Sequence, residues 1–265
     1  MLFRKKYYFL SGIPRSGNTL LGSLLNQNKN ISVTANSIVS EMLYRVDQCR
    51  YANRSNNFLN QKSHDNVCNN IIKNYYRSWK SKVIIDRTAW GTPDNLELLQ
   101  KYCPNEIKII VLFRDIEEVL ASYIKWSKEN PNNFLDQYET IEEKCEILMN
   151  PKGLLMQSLL SAHNLLKDEN RKYALFITYD DLVNKSKETT DKIYNFLKIK
   201  NYNHNFKDIK KFSSNEISYD DSVLGDNLHR VREGLICREE YDVTDYIPNY
   251  ILDKYRKYNV WKDVI

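Results

Sequence analysis

Tyr7-Tyr8-Phe9-Leu10-Ser11-Gly12-Ile13-Pro14-Arg15-Ser16-Gly17-Asn18-Thr19-Leu20-Leu21 is the stretch on which the fold turns. Its first four residues are aromatic and apolar and stop at Ser11-Gly12, as a buried strand running into a turn does. Beyond the turn Leu20, Leu21, Leu24 and Leu25 recur at helical spacing, so the order is strand, glycine loop, helix. Gly12 to Thr19 keeps the phosphate-cradling spacing G-x-x-x-x-G-K-[ST], except that Asn18 stands at the lysine position. Glycine lets the backbone approach an anion, and amides at the mouth of the following helix bind it with help from the helix dipole. A phosphate-type group is therefore expected on Arg15, Ser16, Gly17, Asn18, Thr19 and Leu20. The missing lysine would reach the β and γ phosphates of a nucleoside triphosphate, so its absence argues against triphosphate chemistry. Arg15 instead puts a planar cationic fork in the loop itself.

Working outward, Lys82–Asp86 (KVIID), Ile107–Phe113 (IKIIVLF) and Tyr173–Tyr179 (YALFITY) are three further short β-rich runs, each followed by helical periodicity. Alternating β and α predicts an α/β fold: a mostly parallel sheet flanked by helices in three layers. Ligands of such sheets bind beyond the carboxyl ends of the strands. An Asn-rich stretch, Asn53 to Asn74, leads into Val67, Ile71, Ile72, Tyr75, Tyr76 and Trp79 on one helical face, read as a covering helix after a loop. Ile141 to Leu166 is a second helical region, suited to part of a lid. No repeat or Pro- or Gly-rich linker divides the 265 residues, so one domain over 1–265 is expected, with variable covering segments at about 47–80 and 125–168.

Charge and composition narrow the function. A formal net charge of +5 suits a local anion site better than a nucleic-acid track, so no nucleic-acid partner is expected. No apolar run approaches the roughly 18 residues of a spanning helix. The opening MLFRKKYYFLSG is too short for a signal segment, which points to a soluble cytoplasmic protein. Cys49, Cys68, Cys103, Cys145 and Cys237 contain no C-x-x-C pair, and His64, His163, His204 and His229 are scattered. Neither a disulfide framework nor a protein-bound metal is implied.

SGIPRSGNTLLGSLL resembles the 5′-phosphosulfate loop of sulfotransferases that use 3′-phosphoadenosine 5′-phosphosulfate (PAPS), written P-R-S-G-[ST]-T-L. Pro14, Arg15, Ser16, Gly17, Thr19 and Leu20 match, and Asn18 departs from the usual small hydroxyl residue. About 95 residues on, VLFRDIEEVLASY resembles the family's 3′-phosphate motif, with Arg114 at a strand end and Ser122 eight residues later. An arginine fork with a hydroxyl is a sound grip on a terminal phosphate. IIDRTAW resembles the segment whose basic residue reaches the sulfonate, with Arg87 where lysine is commoner. ITYDDLV resembles the segment that places Tyr179 near the nucleotide, and LHRVREGL resembles a closing loop in which Arg232 matches the capping basic residue. The resemblance runs from about residue 7 to 235 and is closest in pattern to tyrosylprotein sulfotransferases and related bacterial enzymes.

The resemblance implies a fold like that of P-loop nucleoside triphosphate hydrolases and an in-line sulfonate transfer from PAPS to a hydroxyl or amine. It leaves adenosine 3′,5′-bisphosphate (PAP) and requires no metal. Arg15, the loop amides and Thr19 would hold the 5′ phosphosulfate, and Arg87 would meet charge developing on the leaving group. The tyrosylprotein branch carries a glutamate where an ungapped match puts Asn36, and an amide cannot accept the proton. Glu41, in SIVSEML, is the nearest carboxylate and the candidate base, with Asp86 and His64 as further candidates. Two other readings stand beside this one. A P-loop small-molecule kinase would use Asp86 as an acidic metal partner and Thr19 as a magnesium ligand; an inactive nucleotide-binding module would follow from Asn18 and Asn36. The acceptor (carbohydrate, lipid, small molecule or peptide tyrosine) and homodimerisation stay open at this stage.

Overall fold

The computed structural model describes residues 5–52, 59–222 and 224–265. The head of the Asn-rich stretch, residues 53–58, and residues 1–4 of the opening segment lie outside that description. Five strands form one parallel sheet: β1 (Lys6–Leu10), β2 (Ile31–Asn36), β3 (Val83–Arg87), β4 (Ile109–Phe113) and β5 (Ala174–Thr178). Their spatial order is β2-β3-β1-β4-β5, with Leu10 beside Arg87 and also beside Ile110. From β1 the chain first builds toward β2 and β3 and then crosses to β4 on the other side. The reversal puts a crevice above the carboxyl ends of the central strands.

Helices alternate with these strands. α1 (Asn18–Leu25) follows β1; α2 (Val39–Gln48) and α3 (Gln61–Tyr75) follow β2. α4 (Pro93–Tyr102) connects β3 to β4. α5 (Ile116–Glu129), α6 (Ile141–Leu148), α7 (Leu154–Leu166) and α8 (Asp168–Arg171) lie between β4 and β5. α9 (Tyr179–Asn184), α10 (Ser186–Leu197) and α11 (Asn249–Tyr255) complete the chain. Local chemistry sets several boundaries. Pro93 opens α4, where its missing N–H costs nothing. Thr140 and Glu143 form a reciprocal capping box on α6, and Thr178 accepts from the Asp181 amide (3.0 Å) to start α9 at the end of β5.

The period of two along each strand divides the core. Phe9, Ile84, Val111 and Phe113 belong to the cluster that holds Trp90, Leu120 and Leu159. Tyr8, Leu10, Ile85, Ile110 and Leu112 join the opposite cluster with Leu21 and Leu25 of α1 and Ile193, Tyr194 and Leu197 of α10. Both faces are covered, which is why these strands read as near-continuous apolar runs.

Two elements differ from the sequence reading. β2 is a fifth strand that was not expected: in ISVTAN only Ile31 and Val33 are large and apolar, yet Ser32 and Thr34 are buried too. Their hydroxyls are taken up locally, Ser32 by Ser81 (2.6 Å) and Thr34 by the Arg87 amide (2.9 Å). The helical run Ile141–Leu166 is two helices separated at Met149–Gly153, where Pro151 cannot supply a helical N–H. Among the described residues no helix is long and apolar enough to cross a membrane.

Candidate active site

A cleft of about 1100 Å³ opens above the carboxyl ends of β1, β3 and β4 and is walled on its far side by residues from Leu224 to Tyr241. The loop after β1 forms its floor. Arg15 and Gly17 adopt left-handed backbone (φ 62° and 90°), so the loop folds back before α1 begins. Asn18 turns inward. Its Nδ2 donates to the Ile13 carbonyl (2.7 Å) and the Ser16 hydroxyl (3.3 Å), while its Oδ1 is buried with no partner. A Cβ on Gly12 would lie 2.0 Å from that Oδ1, so the glycine is what admits the amide. Ser16 is buried as well and donates to the Ile13 carbonyl (2.5 Å) and, at 3.3 Å, to the Leu112 carbonyl, tying the loop to β4. At the lysine position of the phosphate-loop pattern stands a side chain that braces the loop from within.

Three arginines from three strand exits meet in the cleft. Arg15 Nε donates to Ser122 Oγ (3.0 Å), and its Nη1 donates to the Leu228 carbonyl. Arg114 Nη1 donates to the Arg15 carbonyl (3.0 Å) and Nη2 to the Tyr241 hydroxyl (3.2 Å), with the guanidinium 4.3 Å from the centre of the Tyr179 ring. Arg87 Nη1 donates to Thr19 Oγ1 (3.2 Å) and to the Tyr219 hydroxyl. Arg114 is paired with Glu118 (2.8 Å), which also takes Arg238. Among the described residues neither Arg15 nor Arg87 has a carboxylate partner. Burial pulls both guanidiniums below their usual range, partly offset by neighbouring tyrosines, and the Arg114 cation also pushes Arg15 down. Arginine nevertheless stays charged in proteins. Two half-buried cations satisfied only by neutral oxygens are an expensive arrangement for stability alone and a suitable one for anions.

Of the residues singled out from sequence, Arg15, Gly17, Asn18, Thr19, Leu20, Arg87, Arg114, Ser122, Tyr179 and Arg232 all line this one cleft. Ser16 lies behind its floor, and Arg232 reaches over the rim to pair with Glu239. Glu41 is not brought in: it is exposed on α2 and bound to Arg45 (2.6 Å). His64 is held under α2, with Nε2 2.8 Å from the Val46 carbonyl. Asp86 is buried on the far side of β3, accepting from the Tyr76 hydroxyl and from Trp90 Nε1 (2.7 Å); burial raises its carboxyl above the usual range. Asn36, at the end of β2, does line the cleft. Among the described residues no cluster of His, Cys, Asp and Glu could hold a metal ion.

In the segment after α10 the sequence singles out Arg232 and passes over Tyr219, Asp221 and Tyr241, while His229 reads there as one of four scattered histidines. Tyr219 hydrogen-bonds Arg87, and its ring is stacked on His229 (centroids 4.0 Å, planes 6° apart). Asp221 accepts from the His229 amide (2.7 Å) and lies 2.6 Å from its Nδ1. Tyr241 reaches both Arg114 and the Glu118 carbonyl. His229 sits inside LHRVREGL and was in view, but no spacing rule ties it to Asp221 or Tyr219.

The sequence model of the sulfotransferase domain matches residues 5–234, and the chain belongs to that family. No curated protein matches it. Among solved structures, the sulfotransferase domain from the curacin biosynthetic pathway is similar at 15% identity, covering 99% of this chain and 92% of that one (TM-score 0.52). Retinol dehydratase in complex with androsterone and the inactive cofactor PAP matches at 15% identity over 99% of this chain and 81% of that one (TM-score 0.51). Mouse sulfotransferase SULT7A1 complexed with PAP matches at 17% identity over 76% of this chain (TM-score 0.48), and the match spans 62% of the mouse chain. The likenesses to the curacin-pathway domain and to retinol dehydratase show the α/β fold with a parallel sheet that the sequence predicts.

Proposed function

We propose that the protein transfers a sulfonate group from PAPS to a hydroxyl or amine acceptor in the cleft above β1, β3 and β4. The observation that carries this reading is the wiring of the two anion grips. Arg114 binds the Arg15 carbonyl, Arg15 binds Ser122, and Arg87 lies across the same cavity on Thr19. A ligand anionic at both ends, with an adenosine between, matches that charge pattern, and the PAP in the retinol dehydratase crystal is such a molecule. Arg15, Thr19 and the amides opening α1 would hold the 5′ phosphosulfate, and Arg114 with Ser122 the 3′ phosphate. Tyr179 and Arg232 border the same space. When bound, PAPS supplies an activated sulfonate on a bisphosphate leaving group. Arg87 would then stabilise charge that grows on the bridging oxygen. The kinase reading lacks its acidic metal partner, because Asp86 faces Tyr76 and Trp90 rather than the cleft.

Thermal unfolding with PAP and without added metal tests the donor assignment. Saturation at about 100 times Kd raises stability by about 2.7 kcal/mol, which is a shift of several degrees. No shift with PAP together with a magnesium-dependent shift with ATP would overturn it. Incubation with 35S-labelled PAPS and a lysate then identifies the acceptor as the labelled molecule.

A further inference from the structure

We infer that His229 is the general base that receives the acceptor's proton, with Asp221 as the residue that positions it. This assignment rests on the sulfonate-transfer reading above.

Three carboxylates, Glu129, Glu233 and Glu239, line the cleft. Glu239 is taken by Lys125 and Arg232, Glu129 lies 3.9 Å from Lys125, and Glu233 lies 3.9 Å from Lys211. Each already faces a cation, and at Glu239 the nearby Lys125 and Arg232 outweigh burial and hold the carboxyl below its usual range. His229 is the one imidazole among the described residues lining the cleft. One oxygen of Asp221 accepts from the His229 main-chain amide and the other lies 2.6 Å from Nδ1. Gripped at both points by one carboxylate, the neutral ring carries its hydrogen on Nδ1 and leaves the Nε2 lone pair free. Among the described residues nothing donates to Nε2. The ring is fixed in plane by its stack on Tyr219, whose hydroxyl accepts from Arg87. The base therefore stands one aromatic ring away from the cation assigned to the leaving group.

Electrostatics agree with that geometry. The groups facing His229 are Asp221, Arg87, Arg15 and the Tyr219 ring. Burial leads in pulling the imidazole below its usual range, the two guanidiniums push the same way, and Asp221 opposes them. The ring is thus unprotonated near neutral pH and ready to accept.

In the step itself the acceptor oxygen or nitrogen forms its bond to sulfur as the bond from sulfur to the bridging phosphate oxygen breaks. The electron pair of the broken bond leaves on PAP, the acceptor's proton passes to Nε2, and the new imidazolium faces Asp221.

The test uses the full chain, the His229→Gln and Asp221→Asn variants, and three measurements. Calorimetry gives the Kd for PAP; nitrogen-15 NMR gives the ring tautomer in the wild type; PAP release from PAPS gives turnover, with phenol as acceptor, which keeps its proton at neutral pH, and with water alone. Expected are a PAP Kd in His229→Gln within about threefold of wild type and a fall in turnover of roughly 10²- to 10⁴-fold. The acidic limb of the wild-type rate profile should disappear in that variant. Asp221→Asn should lower kcat with little change in KM for PAPS. Turnover of His229→Gln within threefold of wild type, or a ring protonated on Nε2, would overturn the assignment. Failure of the wild type to bind PAP would instead overturn the donor reading on which it rests.

Discussion

Arg87 illustrates how a single side chain joins two roles. Its main chain belongs to the sheet, with the amide bonded to Thr34, while its guanidinium leaves the strand end toward Thr19 and Tyr219. Because it lacks a carboxylate partner among the described residues, its charge is not cancelled locally and acts on whatever anion the cleft receives. Arg87→Ala is expected to lower kcat by roughly 10²- to 10³-fold. The PAP Kd should rise by less than tenfold, as read by single-turnover PAP release and calorimetry. A variant with normal kcat removes the leaving-group role. Arg15, Arg87, Arg114 and Ser122 were legible because the motifs that carry the resemblance to PAPS-using sulfotransferases lie at and just after strand-to-helix junctions, Ser122 being two turns into α5. His229, Asp221 and Tyr219 were not, since they lie in a segment without repeating pattern and meet only through the path of the chain after α10. Glu41 misled for the opposite reason: closeness in sequence to Asn36 did not place it in the cleft, because α2 turns that face to solvent.

At the level of elements, the turn from β1 to α1 depends on a fitted pair, Gly12 and Asn18. Gly12→Ala would drive a methyl into the Asn18 amide, an overpacking worth about 1–3 kcal/mol. Asn18→Ala alone loses two hydrogen bonds, about 1 kcal/mol each, with some return from removing the unpartnered Oδ1. The double variant relieves the clash, so it should be more stable than the sum of the singles predicts, by about 1 kcal/mol or more in urea titrations. Additive losses would show that the amide does not lie over Gly12 in solution. The strands with continuous apolar runs were legible for the reason that makes them central: both faces are covered. β2 was not, because an edge strand can bury Ser32 and Thr34 by giving their hydroxyls partners, and hydropathy alone cannot see partners. Pro151 and Gly153 mark the break between α6 and α7, inside a stretch whose apolar residues on either side read as one helical region.

For the molecule as a whole, three buried or half-buried histidines weaken the fold on the acid side. His204 is buried with its Nε2 3.0 Å from the Tyr194 hydroxyl, and burial pushes its pKa from 6.5 down to about 4. Burial lowers His163 and His229 as well. In each case the unfolded chain binds the proton more readily than the folded one, so between the folded pKa and about 6.5 stability rises with pH. The contribution is complete above 6.5 and is lost as pH falls toward 4. His204→Gln should flatten that limb in urea titrations at pH 7, 6, 5 and 4, and an unchanged slope would show that His204 is solvated in the folded state.

The segment that carries Tyr219, Leu228 and Tyr241 touches all three cleft arginines. It supplies a hydroxyl to Arg87, a carbonyl to Arg15 and a second hydroxyl to Arg114. The three cations are therefore thermodynamically linked through a single piece of backbone. Phosphate oxygen that replaces one of these contacts should loosen that backbone's hold on the other two, so a nucleotide anionic at both ends is expected to bind cooperatively. Adenosine carrying only one phosphate is then expected to lose more affinity than the contacts it omits account for, as calorimetry with PAP and with adenosine monophosphate would read.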